Sequence, residues 1–365
     1  MELEIMGGLK MKSKRVLRVI ECKGTPYEIG QQYGEGCRDS ILKSMEINFG
    51  ILTSGYKISQ DELINSAKKY LPLVRIFDPE LIEMIKGQAE GAGISFDQAF
   101  ALRCTLELGP YYPRLSGLCT SFAARGKATR ESKTILGQNI DWYPGFPIDL
   151  LKVVHEDGLT QLTISLGGFA EYTLNSAGLG ICANSTLTPA ENFQLNIPVA
   201  CYLPKTMRQK NIGDALGVLC QAARGVGYYH LASAEGDIVG IESVFDDFNI
   251  IYPEQDILVH SNHYVTDRFK KGDQAYMGIA DSYLRLDRIK RLMEMEYGDL
   301  SVEKMMAILT DHNDYPLSIC RHYDPETPRL FNAETLVSFI MLPEEQRMFI
   351  SYGPPCQNEY IEYRL

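Results

Sequence analysis

The periodicity of the chain changes near residue 118, and no other feature restricts its fold as strongly. Before that point the signals are helical. Thr25-Pro26-Tyr27-Glu28 forms a capping box with proline at the first helical position. In such a box the threonine and glutamate side chains satisfy each other's backbone N–H groups, and proline lacks the donor that this position would leave orphaned. Ile29, Tyr33, Cys37, Ile41, Met45 and Phe49 then recur at every fourth residue, as on one helix face. Ser59 with Glu62, Asp78 before Pro79, and Ser95 with Gln98 open three further segments. Together they predict an all-helical segment over 1–118.

From Cys119 onward the chain reads as short β-favouring runs divided by Gly, Asn and Asp: TSFAA, TILGQNI, LLKVVHE, QLTISLGG, AEYTLN and GLGICAN. Asn211 caps a helical interlude over 212–224, and YYHLASAE, DIVGIESVF, FNIIYP and DILVHSN follow as in a meander. Helical spacing returns over 279–297 and 301–309, before TLVSFIML and RMFISYG. Strands, then helices, then strands predict an α+β domain of two antiparallel sheets with helices packed outside them. No repeat or flexible linker interrupts the chain, so the boundary at 118 is a change of texture and not a tether. With 365 residues, 45% of them hydrophobic, a large core is available without a metal or disulfide staple.

A net charge of -11 argues against a nucleic-acid partner, which requires clustered Lys and Arg. The opening MELEIMGGLKMKSKRVLRVIECKG mixes charge into each apolar stretch, unlike a signal peptide, and no run is apolar and long enough to span a membrane. Nine cysteines without C-x-x-C spacing predict neither a disulfide framework nor a zinc ribbon. The expected setting is a reducing cytoplasm, with no cofactor.

Cys119 stands in SGLCTSFAA, where the helical segment gives way to sheet. A lone cysteine is ordinarily a packing residue. At this position, however, a thiol can add to the carbonyl of its own preceding peptide bond, and hydrolysis of the ester frees an α-amine. That amine, with a pKa of about 7.7–8.0, can accept the thiol proton without a histidine. The chain would then divide into a 1–118 helical segment and a 119–365 catalytic chain. Asp141 in LGQNIDWYP, Asn184 in AGLGICANS, Asn262 in VHSNHY and Arg321 in SICRHYD offer polar groups for such a site. An Asn amide is a neutral donor suited to an oxyanion. Taken singly, each also fits a turn, a strand end or a helix terminus.

The succession GTPYEIGQQYGE, GQAEGAGISFDQAF, Cys119-Thr120 opening a strand, GQNIDW, NSAGLGICANS, VHSNHY, SICRH and SYGPPCQNEY resembles the acyl-CoA:6-aminopenicillanate acyltransferase family. This is peptidase family C45 of the Ntn-hydrolase superfamily, and the resemblance runs from about residue 23 to the C-terminus. Bile-salt hydrolases and acid ceramidase are similar in the core. The resemblance implies an αββα fold and autocatalytic cleavage before Cys119, with the two resulting chains remaining associated. It implies making or breaking of amide C–N bonds through a Cys119 thioester, on a small acylated amine or acyl-CoA-type substrate. It also implies that Asp141 orients the Cys119 amine, that Asn262 donates to the oxyanion, that Asn184 forms a second polar wall, and that Arg321 places a charge near the thiolate. Leu118 departs from the glycine that precedes the cut in the penicillin enzyme. Gln138 stands where bile-salt hydrolases and acid ceramidase place an arginine, as it does in the acyltransferase branch.

Two other readings stay open. A papain-like Cys–His enzyme could use His260 or His263, although a papain-type cysteine opens a helix and TSFAA reads as strand. An uncleaved, non-catalytic relative could bind a small acyl or amine ligand. His260 and His263 lack an evident third ligand for a metal. Cys22, Cys37, Cys104, Cys182, Cys201, Cys220, Cys320 and Cys356 read as packing residues.

Overall fold

The computed structural model describes residues 12–108, 118–189, 194–222, 227–326 and 332–365. Residues 109–117, just before Leu118, lie outside them. All three capping boxes close, at the starts of α1 (Pro26–Gly36), α3 (Gln60–Ala67) and α6 (Phe96–Arg103). Asp78 caps α5 (Pro79–Ala92) by accepting from the Leu81 N–H at 3.2 Å. The fourth-residue run that begins at Ile29 is interrupted at Cys37, which separates α1 from α2 (Arg38–Tyr56). A short α4 (Leu71–Phe77) completes the segment.

The segment is not all helical. Val19–Gly24 forms β1 and pairs in parallel with β4 (Ile148–His155), Val19 opposite Leu150 and Gly24 opposite His155. Only Cys22 of β1 is fully buried, so apolar alternation scarcely marks the strand, which is held as an edge by its ladder.

The first sheet has the order β1, β4, β5 (Thr160–Leu166), β6 (Ala170–Asn175), β7 (Leu179–Asn184), β8 (Gly227–Ser233), β9 (Ile238–Val244) and β10 (Asp247–Ile251). It is antiparallel except at β1. The second has the order β11 (Ile257–His260), β2 (Leu118–Ala124), β3 (Ile135–Trp142), β12 (Glu334–Leu342), β13 (Arg347–Tyr352) and β14 (Ile361–Arg364). All its pairings are antiparallel.

The sheets face each other through β2 and β3 against β7 and β8. Helices α7 (Val199–Met207) and α8 (Ile212–Ala222) pack on β6 and β8 outside the first sheet. Helices α9 (Asp281–Met295) and α10 (Val302–Ile308) cover the second at β11 and β12. The result is helix, sheet, sheet, helix. Period-two alternation builds it: Cys119 and Ala123 of β2 join the inter-sheet core, whereas Phe122 and Ala124 pack with Ile289, Met293 and Met305 on the helical side. Among the described residues no helix is long and apolar enough to cross a membrane.

The N-terminal segment belongs to the same core. Its Ile29, Ile41, Ile85 and Phe100 cluster with Leu150, Ile164 and Leu174 of the first sheet. A buried ion pair joins Arg103 to Glu171 of β6 at 2.7 Å, and Glu107 accepts from the first N–H of α7 at 2.8 Å.

Candidate active site

Cys119 is the second residue of β2, and alternation turns its side chain into the inter-sheet core, where it is 2% exposed. Side chains from three separate elements hold its peptide groups. The Cys119 N–H donates to Asn262 Oδ1 at 2.9 Å. Arg285 Nη1 donates to the Cys119 carbonyl at 2.6 Å and to Thr120 Oγ1 at 2.8 Å, while Nη2 donates to Asn262 Oδ1 at 2.8 Å. Asn184 Nδ2 points at the same carbonyl from 3.5 Å, at the margin of a hydrogen bond, and donates to the His260 carbonyl at 3.2 Å.

The fork of Arg285 fixes which way Asn262 faces. Two donors meet its oxygen, and its Nδ2 donates to the Ser185 carbonyl at 2.9 Å. In the intact chain the acceptor end of Asn262 thus faces the amide nitrogen of Cys119, held there by Arg285 of α9, and its donor end faces the Ser185 carbonyl.

Asp141 lies on β3 opposite Leu118. Alternation sends Leu136, Gln138 and Ile140 toward the first sheet and Asn139 and Asp141 toward the helices; Gln138 bonds Ala183 of β7, and Asn139 bonds the carbonyls of Leu309 and Ile319. Asp141 accepts from Thr335 Oγ1 at 2.7 Å, and its other oxygen is 3.5 Å from Arg321 Nε. In the intact chain its carboxylate thus faces Thr335 and Arg321, while Asn262 takes the Cys119 N–H, where Asp141 was expected. Asp281, on α9, pairs with Arg285 at 2.9 Å and also with Arg321. A continuous buried relay runs from Asp141 through Arg321, Asp281 and Arg285 to Asn262 and Cys119. The five residues singled out from sequence are brought together.

Burial pushes Asp141 up to about 6, against the pull of Arg321, Arg285 and the Thr335 hydroxyl. Burial also pushes the Cys119 thiol well up; Asp141 adds to this and Arg285 opposes it. The thiol of the intact chain is therefore neutral near pH 7. Asp281 is held below the usual carboxylate range because Arg285 and Arg321 outweigh its burial.

The sequence reading missed Arg285, Asp281 and Thr335. Asp281 and Arg285 are four residues apart on a helix, the ordinary pattern of a surface ion pair. Only the burial of their side chains separates them from one.

Neither histidine is poised as the base for Cys119. His260 is held by Glu242 at 3.2 Å and the Ser261 carbonyl at 2.8 Å, and stacks on Tyr228 at 3.6 Å between centroids. His263 Nδ1 bonds Ser282 Oγ at 2.8 Å, and burial, with His260 and Arg285 adding, pushes it down to about 3. Such an imidazole is a weak base.

Comparison with known proteins places the chain in a family. Residues 128–356 match the profile of the family described as acyl-coenzyme A:6-aminopenicillanic acid acyl-transferase. That span holds Asp141, Asn184, Asn262, Asp281, Arg285 and Arg321, and begins just after Cys119. The chain is 24% identical over 329 residues to the 40 kDa form of acyl-coenzyme A:6-aminopenicillanic-acid-acyltransferase of Emericella nidulans, covering 86% of this chain and 88% of that protein. Among solved structures, a variant of conjugated bile acid hydrolase from Clostridium perfringens aligns with a TM-score of 0.46 at 13% identity, over 68% of this chain and 97% of that one. Penicillin V acylase from Agrobacterium tumefaciens aligns at 0.43 and 14%, over 64% and 83%. The assignment rests on the family match and not on these structural likenesses. The chain belongs to the acyl-coenzyme A:6-aminopenicillanic acid acyl-transferase family.

Proposed function

We propose that this protein is an amide hydrolase or acyltransferase that activates itself by cutting the Leu118–Cys119 bond and then works through a thioester on Cys119. The observation that carries the reading is the grip on the Cys119 peptide, with its N–H on Asn262 and its carbonyl on Arg285. In the first stage the thiol adds to the Leu118 carbonyl carbon and the Cys119 nitrogen leaves, giving a thioester. Water then releases the Leu118 carboxylate and a free Cys119 amine. Asn262 Oδ1, already on that nitrogen, is placed to hold the new amine and aim its lone pair at the thiol.

In the second stage the amine takes the thiol proton and the thiolate attacks the substrate carbonyl. Asn184, whose Nδ2 lies 3.5 Å from the Cys119 carbonyl and 3.2 Å from that of His260, is a neutral donor beside Cys119 and takes the oxyanion role. The leaving amine departs with the proton. Water or a second amine then resolves the thioester, which decides between hydrolysis and transfer. Substrates are small acylated amines or acyl-CoA thioesters. The 1–118 and 119–365 chains stay together, because they share one core and the β1–β4 ladder.

Intact-mass analysis with N-terminal sequencing tests the first stage. Wild-type protein is expected to give a fragment beginning at Cys119 and Cys119→Ala a single intact chain. Wild-type protein that remains uncut after prolonged incubation, or a Cys119→Ala chain that is still cut, would overturn it.

A further inference from the structure

Cys320 and Cys356, read from sequence as packing residues, lie with His312 and His322 in one cluster in which a ligand atom from each is within 4.8 Å of all the others. The Nε2 atoms of His312 and His322 are 3.1 Å apart. Cys320 Sγ lies 3.6 Å and Cys356 Sγ 3.4 Å from His322 Nε2. We propose that these four side chains bind a zinc ion in a closed tetrahedral site. A tetrahedron with Zn–N of about 2.0–2.1 Å and Zn–S of about 2.3 Å has edges of about 3.3 Å between nitrogens, 3.6 Å between nitrogen and sulfur, and 3.8 Å between sulfurs. The observed separations match the first two kinds of edge to within a few tenths of an ångström.

The donor set selects the ion. Thiolate and imidazole favour zinc over the hard cations, which take oxygen ligands. Four protein ligands leave no open position, so the ion is structural and takes no part in the chemistry at Cys119. Cys320 is buried, His322 and Cys356 are half-buried and His312 is exposed, which leaves the ion a route in from one side.

The surroundings explain what the ion does. Between Ile308 and Glu334 the described residues form no helix or strand. Connections of that length are uncommon in a compact domain unless they serve a function. This one carries Arg321, and its Leu309 and Ile319 carbonyls accept from Asn139. Three of the four ligands come from it, and Cys356 comes from the turn between β13 and β14. The ion pins the connection to the second sheet immediately before Arg321, whose N–H donates to Thr335 Oγ1 at 2.9 Å. This inference is independent of the reaction assigned to Cys119.

The full chain, purified without a polyhistidine tag under air-free conditions, is to be assayed for zinc by plasma mass spectrometry. Its apo form is then titrated with cobalt(II). Stoichiometric zinc is expected, together with the visible bands of tetrahedral cobalt and a thiolate-to-cobalt charge-transfer band. Cys356→Ser and His322→Gln should each lose the zinc and weaken the charge-transfer or visible bands, while Cys220→Ser, outside the cluster, should keep both. Folded wild-type protein with no more zinc than Cys356→Ser and no cobalt bands would overturn the proposal. So would an intact mass lacking two hydrogens that reduction restores, because a Cys320–Cys356 disulfide removes both thiolates. Both readouts use the wild-type chain, so a variant that fails to fold does not remove the test.

Discussion

At the scale of single residues, the proposed chemistry depends on which end of a side chain faces Cys119. Arg285 is the clearest instance, because one guanidinium serves the Cys119 carbonyl, Thr120 and Asn262. Lysine carries the charge but not the fork, so Arg285→Lys should slow self-cleavage by about 10²-fold, the cost of roughly 1 Å of misplacement, in a protein that melts normally. Gel densitometry over time, beside a melting curve, reads both. Asp141 gives a pH test. Its pKa rises from 3.8 to about 6 on folding, so the fold favours its neutral form. The stability this group contributes is full below pH 3.8 and is lost as pH rises through about 6. Cleavage should run the other way. Below pH 6 a neutral Asp141 releases Arg321, which then competes with Arg285 for Asp281 and loosens the grip on Cys119. The cleavage rate should therefore fall with an inflection near pH 6, and Asp141→Asn should lack that inflection; its persistence in the variant would reject the assignment. The sequence named Cys119, Asp141, Asn184, Asn262 and Arg321, but it could not show that Arg285 joins them or that Asn262 presents its oxygen. Those facts arise from side chains meeting across elements far apart in the chain. The same holds for His312, Cys320, His322 and Cys356, whose spacing matches no short zinc motif.

At the scale of elements, α1 and α5 cross almost backbone to backbone. A Cβ at Gly30 would lie 1.9 Å from the Met84 carbonyl oxygen, and one at Gly87 2.0 Å from that of Tyr27. Gly34 and Gly91 repeat the arrangement one turn further on, at 2.3 Å from the Gln88 oxygen and 2.1 Å from the Gln31 oxygen. No rotamer relieves a clash with backbone, so Gly87→Ala should cost at least about 1–3 kcal/mol and lower the melting temperature and the yield of cleaved protein together. An unchanged melting temperature would show that the helices can separate without penalty. The capping boxes and the β-favouring runs were legible because their signals are local. Three elements were not. β1 and β14 each have little fully buried surface, so neither shows a clear alternation. Helix α7 carries Pro204 in its interior, and it forms because Ala200, Cys201, Leu203 and Met207 are buried and Glu107 caps its start.

At the scale of the whole molecule, the N-terminal segment is a structural part of the catalytic layers. It supplies the edge strand of the first sheet, the Arg103–Glu171 pair and much of the shared core. Cleaved protein should therefore elute as one species under native conditions and separate into two chains only in denaturant; early separation on a sizing column would contradict the shared core. If the Leu118–Cys119 bond is cut as proposed, the parallel β1–β4 ladder joins two chains instead of two parts of one. Folding of the uncut protein is a first-order event within one chain, but the proposed cut product would be a heterodimer whose unfolding releases two molecules. Its melting point should rise with protein concentration, as mass action requires, whereas that of uncut Cys119→Ala should not. After complete denaturation the fragments can regain the native state only by a second-order encounter, with exposed strand edges competing for aggregation. Self-cleavage would then act as a thermodynamic ratchet: the chain folds once as a monomer and thereafter persists by the slowness of its dissociation.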